Sequence, residues 1–519
     1  MSALLAPGEL DALRAALVAA DYTVDGVTDL LGPAGETALA RADLAGVRRV
    51  LRPERGPLAD LCRVFLVGDD VPAADGDAAF AGAPVDALVA AGLLERSGGA
   101  LRAAMDVRPH GSDADDGPGS AAEPWWIVSD LGGDVRRGVL RTDHVLGVGP
   151  AAMSLADTVV RRPVGSALDV GTGSGVQALH LATHAGRVTA TDVSDRALRC
   201  CATTWGLSRP GVALDLRQGS LLEPVDGERY DLVVANPPFV VTPGPSPADG
   251  RFTYRDGGLA GDSLCASLVR GAGAVLDPGG TAQFLANWLV TGDEDWTERV
   301  AGWIPADCDA WVWQREVADL GQYAALWLRD AGDGPHVPGY GERYDAWVDG
   351  LRAFGAVAVG FGAVHLRRLG SGVDRAPVVL AEDVVQALQP PLGAAVDAWF
   401  DRAGWLAGPA RDDGALLGAA LRPAPSLALR TTAAPGAEGW GAADTSLLLT
   451  DGLGWEVDAD DATVQVVGAL DGTRPVGLVL DLAAATRDDV GDPGAFHARA
   501  LPVLRDLVAR GLLLPPAGP

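Results

Sequence analysis

The chain has 519 residues, a length that accommodates roughly two to four domains. Its hydrophobic content of 48% excludes wholesale disorder. Its formal charge of −28 argues against a broad basic face for unaided nucleic-acid binding, since such proteins displace counterions from phosphate with clustered cations. All 41 basic residues are arginine, a compositional bias that says nothing about fold. The five cysteines, Cys62, Cys200, Cys201, Cys265 and Cys308, include no pair at CxxC spacing, so neither a disulfide framework nor a zinc ribbon is expected. The opening MSALLAPGELDALRAAL has no basic stretch before an apolar core, and no run of about eighteen apolar residues follows. The expectation is a cytoplasmic protein with no membrane segment.

In chain order, residues 8–21 place Leu10, Leu13, Ala16, Leu17 and Ala20 at helical spacing. Shorter helical patterns follow near 24–31, 36–47, 57–67 and 84–96. A turn and strand, a Gly/Asp-rich loop at 111–119 and the strand around Trp125-Trp126 complete a helical, winged-helix-like module over 1–144. From 145 to 370 strands and helices alternate. Strands are expected at 167–170, 187–191, 212–216, 230–235 and 281–286, with helices near 151–162, 175–185, 195–204, 260–275 and 293–303. That alternation implies a parallel α/β sheet covered on both faces. Further β-like runs are read at 309–315, 323–329 and 356–368, with a helix at 340–353. A third domain, 371–519, begins with a helical reading of LAEDVVQALQPPLGAAVDAWF and strands near 416–421 and 446–450. It ends in three helices and a short strand, again winged-helix-like.

Two stretches carry chemistry. DVGTGSG, Asp169 to Gly175, follows a buried strand and opens a helix. Gly171, Gly173 and Gly175 allow a sharp turn and close approach of backbone to a ligand. The next strand ends at Asp192, about twenty residues on, where a carboxylate suits a ribose diol. The glycine spacing differs from a dinucleotide fingerprint. The second stretch is Asn236-Pro237-Pro238-Phe239 at the end of the strand YDLVVA. The prolines stiffen the backbone and remove two donors. The Asn236 side-chain oxygen and the Pro237 carbonyl can then accept from one planar NH₂, with Phe239 stacking on its plane. Such a grip turns the nitrogen lone pair toward an electrophile.

Together these motifs resemble the class I S-adenosylmethionine-dependent methyltransferases, which implies a Rossmann-like seven-stranded sheet with S-adenosyl-L-methionine as cofactor. By that resemblance Gly171, Gly173 and Gly175 pass the methionine part of the donor and Asp192 holds the ribose. Asp169 orients the loop or meets the donor amino group through water. Ser220, in QGSLLEP, stands where the family usually has an adenine-binding Asp. The run NPPFVVTP, a later Gly-Gly-x-x-Gly stretch and LDPGG resemble the release-factor glutamine N5-methyltransferases. The same NPP[FY] group includes ribosomal-RNA guanine and adenine methyltransferases, which often carry Phe at the fourth position. A protein substrate is favoured and a nucleic-acid base is the alternative; a basic groove facing the motif would favour the latter. Other readings are bland. His180 and His184, four apart on a helix, lack a third ligand and are expected to be structural. Trp125, Trp126, Trp296, Trp303, Trp311 and Trp313 are expected in cores. Tyr254, Arg255 and Asp256 are possible substrate contacts, and residues 147–154 lie where such enzymes close over the donor.

Overall fold

Leu10, Leu13 and Leu17 share the buried face of α1 (Pro7–Ala19), a helix opened by proline in its first turn, where the Glu9 carboxylate accepts from the Ala6 N–H at 2.8 Å. α2 (Val24–Ala40), α3 (Leu44–Leu51) and α4 (Pro57–Leu61) follow, the last continuing into one π-helical turn. Next come β1 (Val71–Pro72), α5 (Ala73–Ala79), α6 (Val85–Ala90), β2 (Leu94–Ser97) and β3 (Ala100–Ala103), the strands forming an antiparallel sheet ordered β1-β3-β2. A second ribbon pairs β4 (Asp106–His110) with β5 (Trp125–Ser129). The computed structural model describes all residues except 1, 112–123, 134, 136–140, 244–257, 437–438, 488–491 and 517–519.

The chain divides into two units. One comprises Met1–Ala156, Arg162–Pro305 and Val312–Val364; the other comprises Asp157–Arg161, Ala306–Trp311 and His365–Pro519. In the first unit, α7 (Pro150–Thr158) leads into the alternating series β6 (Ala167–Val170), α8 (Val176–Ala182), β7 (Arg187–Asp192), α9 (Asp195–Ser208), β8 (Ala213–Gln218) and β9 (Tyr230–Ala235). The series continues through α10 (Ser263–Val275), β10 (Leu276–Thr291), α11 (Trp296–Ala301), β11 (Cys308–Asp319, in this unit from Val312), α12 (Leu320–Asp330), α13 (Tyr340–Arg352) and β12 (Ala356–Arg368, in this unit to Val364). These strands lie in the order β11-β12-β10-β9-β6-β7-β8 within an eight-stranded sheet. β6 is central and pairs in parallel with β7 on one side and β9 on the other. The chain winds outward from β6 to β8 and then crosses to β9. The carboxyl ends of β6 and β9 therefore form the switch point at which open α/β sheets bind ligands.

The N-terminal helices share a core with this sheet's α9. Leu13, Leu17, Tyr22, Phe65, Phe80 and Trp126 pack in one cluster with Ala197, Cys200 and Leu207. Polar pairs reinforce it: the Leu4 N–H donates to Thr203 Oγ1 at 2.9 Å, Val128 N–H to Thr204 Oγ1 at 2.9 Å and Trp126 N–H to Ser208 Oγ at 3.0 Å. The buried Arg14 guanidinium donates to the Leu207 carbonyl and lies 5.2 Å over the Trp126 ring, placing a cation at the carboxyl end of α9.

The second unit contains β13 (Val379–Asp383), α14 (Gly393–Ala407), α15 (Asp413–Gly418), β14 (Arg422–Pro423), the long hairpin β15 (Leu427–Gly436) and β16 (Gly439–Leu449), and β17 (Glu456–Asp458). It closes with α16 (Asp461–Ala469), α17 (Val476–Thr486), α18 (Pro493–Arg510) and β18 (Leu513–Leu514), which pairs with β14. Leu416, Leu421, Leu480, Leu504 and Leu507 sit in its core.

Several local readings differ from the structure: residues 94–96, read as the end of a helix, lie in β2, and the helix read at 36–47 is broken between Ala40 and Leu44. Residues 323–329 are helical, because Asp319 caps the N–H groups of Gly321 and Gln322 and Tyr323, Ala324 and Leu328 form a buried helical stripe. The segment from 380 begins as strand, and its helix starts after Pro390-Pro391, residues that disfavour a helix before them. Residues 416–418 end a short helix capped by Asp412.

Candidate active site

The apolar strand β6 carries the chain into Gly171, Gly173 and Gly175, whose φ values are +73°, +56° and +87°. Side chains rarely adopt these angles, which explains the residue type. The roles of the three differ. A Cβ on Gly175 would come within 2.9 Å of Cys201 Sγ, so this glycine seats α8 against α9. A Cβ on Gly171 or Gly173 would meet no heavy atom within 4 Å, so these two border open space. The turn is fastened from β7: Gly171 and Thr172 N–H donate to the Thr191 carbonyl at 2.8 and 2.9 Å, and Gly173 N–H donates to Asp192 Oδ2 at 3.0 Å. Asp192 Oδ1 accepts from Ser194 N–H at 2.8 Å, and Ser194 in turn caps α9.

Asp169 lies beneath the turn, 1% exposed, and among the described residues both its carboxylate oxygens lack a partner at hydrogen-bond geometry. Burial pushes its pKa up to about 7; the nearby Thr172 hydroxyl and Ala178 N–H oppose the shift, and the charge of Asp192 adds to it. Burial also raises Asp192, against the N–H groups of Ser194, Gly173 and Val193.

β9 delivers the second motif to the same place. Val170 pairs with Ala235, so Gly171 and Asn236 leave adjacent strands at one edge. Among the described residues the buried Asn236 Oδ1 has no hydrogen-bond partner. A cavity of about 770 Å³ is lined by Gly171, Gly173, Asp192, Ser220 and the whole Asn236–Phe239 motif. Ser220 is exposed and precedes Leu221, a non-glycine residue at φ +47°. Open space beside the glycines and a carboxylate at the end of β7 fit a ribonucleoside, and Gly171, Gly173 and Asp192 line the space that would take it. Asp169 does not line the cavity; its buried carboxyl lies next to the turn.

The sequence reading missed two walls. One is Asp143-His144, just ahead of the 147–154 segment, of which Gly147 and Gly149–Ala152 line the cavity. Asp130 organises this wall, accepting from Val145 N–H at 2.9 Å and pairing with Arg196 of α9. Burial lowers the His144 pKa, the charge of Asp130 opposing it. Gln177 Nε2 holds the Ala152 carbonyl at 2.6 Å. The other wall is α12, which contributes Trp327 and Asp330. The capping box at Asp319 was the available signal. Tyr254, Arg255 and Asp256 lie outside the described residues.

The tryptophans singled out in the sequence are elsewhere. Trp126, Trp311 and Trp313 are fully buried, Trp288 stacks on Trp296, and Trp311 stacks on Trp399. His180 Nε2 lies 2.9 Å from His110 Nε2, and Trp125 packs edge-on against His180. Among the described residues no cluster of His, Cys, Asp or Glu can hold a metal ion, and no helix is long and apolar enough to cross a membrane.

A sheet of this order, a glycine turn beside its switch point and Asn-Pro-Pro-Phe on the neighbouring strand define a class I S-adenosylmethionine-dependent methyltransferase domain. Residues 146–248 match the methyltransferase small domain, while 19–104 and 397–515 match two domains of unknown function, DUF7059 and DUF7782. The chain is 41% identical over 120 residues to a release factor glutamine methyltransferase of Moorella thermoacetica, covering 22% of this chain and 42% of that one. It is 30% identical over 175 residues to the ribosomal RNA small subunit methyltransferase C of Salmonella choleraesuis, covering 33% of this chain and 45% of that one. The chain thus spans less than half the length of these curated relatives. The structure of a ribosomal protein L11 methylase from Lactobacillus delbrueckii subsp. bulgaricus aligns at 26% identity over 26% of this chain and 57% of that one. Its TM-score is 0.20.

Proposed function

We propose that the protein is an S-adenosylmethionine-dependent N-methyltransferase acting on a planar nitrogen, and that its acceptor is a glutamine side chain of a protein. The observation that carries this reading is the Asn236–Phe239 motif lining the same cavity as the glycine turn, with Asn236 Oδ1 buried and, among the described residues, unpartnered. An acceptor that turns an N–H toward Asn236 Oδ1 would give that oxygen the partner it lacks. A carboxamide or an exocyclic amine does so and is left with its lone pair perpendicular to the plane. Asn236 and the Pro237 carbonyl orient the acceptor NH₂, Phe239 supports its plane, and Pro238 stiffens the turn. Gly171, Gly173 and Gly175 form the donor cradle, with Asp192 on the ribose, Ser220 at the adenine end and Asp169 behind. The donor supplies a sulfonium-activated methyl: the N–C bond forms as the C–S bond breaks, sulfur keeps the electron pair and the nitrogen's proton leaves to water. No strong base is needed, because that proton becomes acidic as the bond forms.

Charge supports the protein acceptor. Among the described residues three carboxylates, Asp143, Asp192 and Asp330, line the cavity, an unfavourable field for a phosphodiester backbone. The relative named as a release factor glutamine methyltransferase supports the same choice. The second reading, an exocyclic amine of an RNA base, draws on Phe239 and on the ribosomal-RNA relative.

The test has two stages. Calorimetry with S-adenosylmethionine checks donor binding; its absence removes the enzymatic reading and leaves a scaffold. Methyl-labelled donor and cell extract are then incubated with the protein, and the products are treated separately with protease and nuclease. Label that survives nuclease but not protease is expected. Label with the opposite sensitivity overturns the glutamine acceptor in favour of RNA.

A further inference from the structure

β11 and β12 are neighbours in the sheet, yet 36 residues separate their ends (Asp319 and Ala356), and α12 and α13 fill the interval. The two helices are fastened to the segment that follows Asn236. Tyr323 is fully buried, and its hydroxyl accepts from Val241 N–H at 2.7 Å and from Asn287 Nδ2 at 3.2 Å. One turn on, Trp327 meets Phe239 edge to face, with ring centroids 6.2 Å apart and an interplanar angle of 68°. On α13, Gly350 permits a close approach: a Cβ there would lie 2.4 Å from Pro243 Cβ. Trp327 and Phe239 both line the cavity, and Asp330, a further turn along α12, joins them. Val240, Val241, Tyr323, Trp347 and Leu351 form the apolar cluster that keeps the insertion in place.

Phe239 alone gives an acceptor one flat wall. With Trp327 at a steep angle to it, the wall becomes a corner. A corner holds a small planar group by one face and one edge, whereas a single ring lets it rotate in plane. We infer that Trp327 is the specificity-determining residue of the acceptor subsite, with Tyr323 as its positioning residue, on the reading that Asn236–Phe239 is the acceptor end. The corner takes a carboxamide on a slender polypeptide side chain, and Asp330 at its edge disfavours a phosphate-bearing substrate. Tyr323 acts through its two hydrogen bonds, which hold the backbone beyond Phe239 and set the angle between the rings.

The full chain and the variants Trp327→Ala, Trp327→Phe and Tyr323→Phe are assayed with methyl-labelled donor. The acceptors are two fractions of a bacterial extract: nuclease-treated protein and protein-free RNA. Donor affinity is measured by calorimetry. Trp327→Ala is expected to raise the half-saturating concentration of the protein fraction roughly tenfold, the size of one lost aromatic contact plus its buried area, with donor affinity within about twofold of wild type. Trp327→Phe restores most of the loss. Tyr323→Phe lowers the maximal rate with little change in donor affinity. An unchanged acceptor dependence in Trp327→Ala, or equal loss of donor and acceptor binding, overturns the inference. If circular dichroism shows Trp327→Ala unfolded, Trp327→Phe decides: a rise of about threefold supports the corner and none overturns it. A wild type that labels neither fraction sinks the proposed function itself. One that labels RNA alone overturns the carboxamide acceptor, while the Trp327 variants still test the corner on RNA.

Discussion

Asp169 has the most informative chemistry of any single residue in the site. Its carboxyl is buried, both oxygens are unpartnered among the described residues, and burial lifts its pKa to about 7. An acid raised in the folded state contributes stability that is fully present below its unfolded pKa, near 4, and is lost as pH rises through about 7. A cation bound beside it favours the ionised form. If Asp169 faces the donor amino group, donor affinity will weaken as pH falls below about 7, by at most about tenfold per unit. Calorimetry from pH 5.5 to 8 checks this, and Asp169→Asn should flatten the profile; a flat wild-type profile refutes the pairing. Asn236 belongs to the other half of the site. Asn236→Ala should lower methyl transfer by about a hundredfold or more, in the range of losing one oriented hydrogen-bonding group, while donor binding persists. Loss of donor affinity in that variant would contradict the division of roles.

At the scale of elements, the glycine turn separates into two functions that sequence treats alike. Gly173→Ala adds a Cβ to open space at φ +56°, so it should cost about 1 kcal/mol of stability and fill room proposed for the donor. Gly175→Ala adds the same strain and a contact 2.9 Å from Cys201 Sγ. It should cost about 2–3 kcal/mol, read as a lower urea midpoint. Donor affinity should fall more in Gly173→Ala and stability more in Gly175→Ala; the reverse order would show that the turn is used differently. The α12–α13 insertion repeats the lesson. Its continuous apolar run, Tyr323 to Leu328, reads as a buried strand, but Asp319 starts a helix there, and that helix brings Trp327 to the site.

At the scale of the whole molecule, the amino-terminal segment is part of the first unit's core. Tyr22, Phe65 and Trp126 pack with Ala197, Cys200 and Leu207 of α9, and the hydroxyls of Thr203, Thr204 and Ser208 on α9 accept backbone N–H groups from residues 4, 128 and 126. Each such bond contributes about 1 kcal/mol net, and the apolar cluster contributes more. Deleting residues 1–144 should therefore abolish cooperative folding of the methyltransferase sheet. Circular dichroism of the 145–519 chain on heating checks this; a sharp transition near that of the full chain would show that the sheet stands alone. Arg14→Ala should have a smaller effect in the same direction, about 2 kcal/mol, since it removes a buried cation from the end of α9.

The sequence by itself determined the α/β class, the strand–glycine-turn–helix unit and the Asn-Pro-Pro-Phe stretch. These are local: positive φ selects glycine, proline fixes the backbone, and alternating apolar strands and amphipathic helices declare themselves over about ten residues. Tertiary structure decided the rest. Gly171 and Asn236 are 65 residues apart, and parallel pairing of Val170 with Ala235 places them at one edge. The partnerless state of Asp169 and Asn236 depends on what the fold leaves around them. The cavity walls at Asp143-His144 and Trp327-Asp330 come from segments nearly two hundred residues apart, with no local signal that they face one ligand. Periodicity reports which face of an element is buried; which other element covers that face is set by strand order and packing, and that is where the acceptor corner arises.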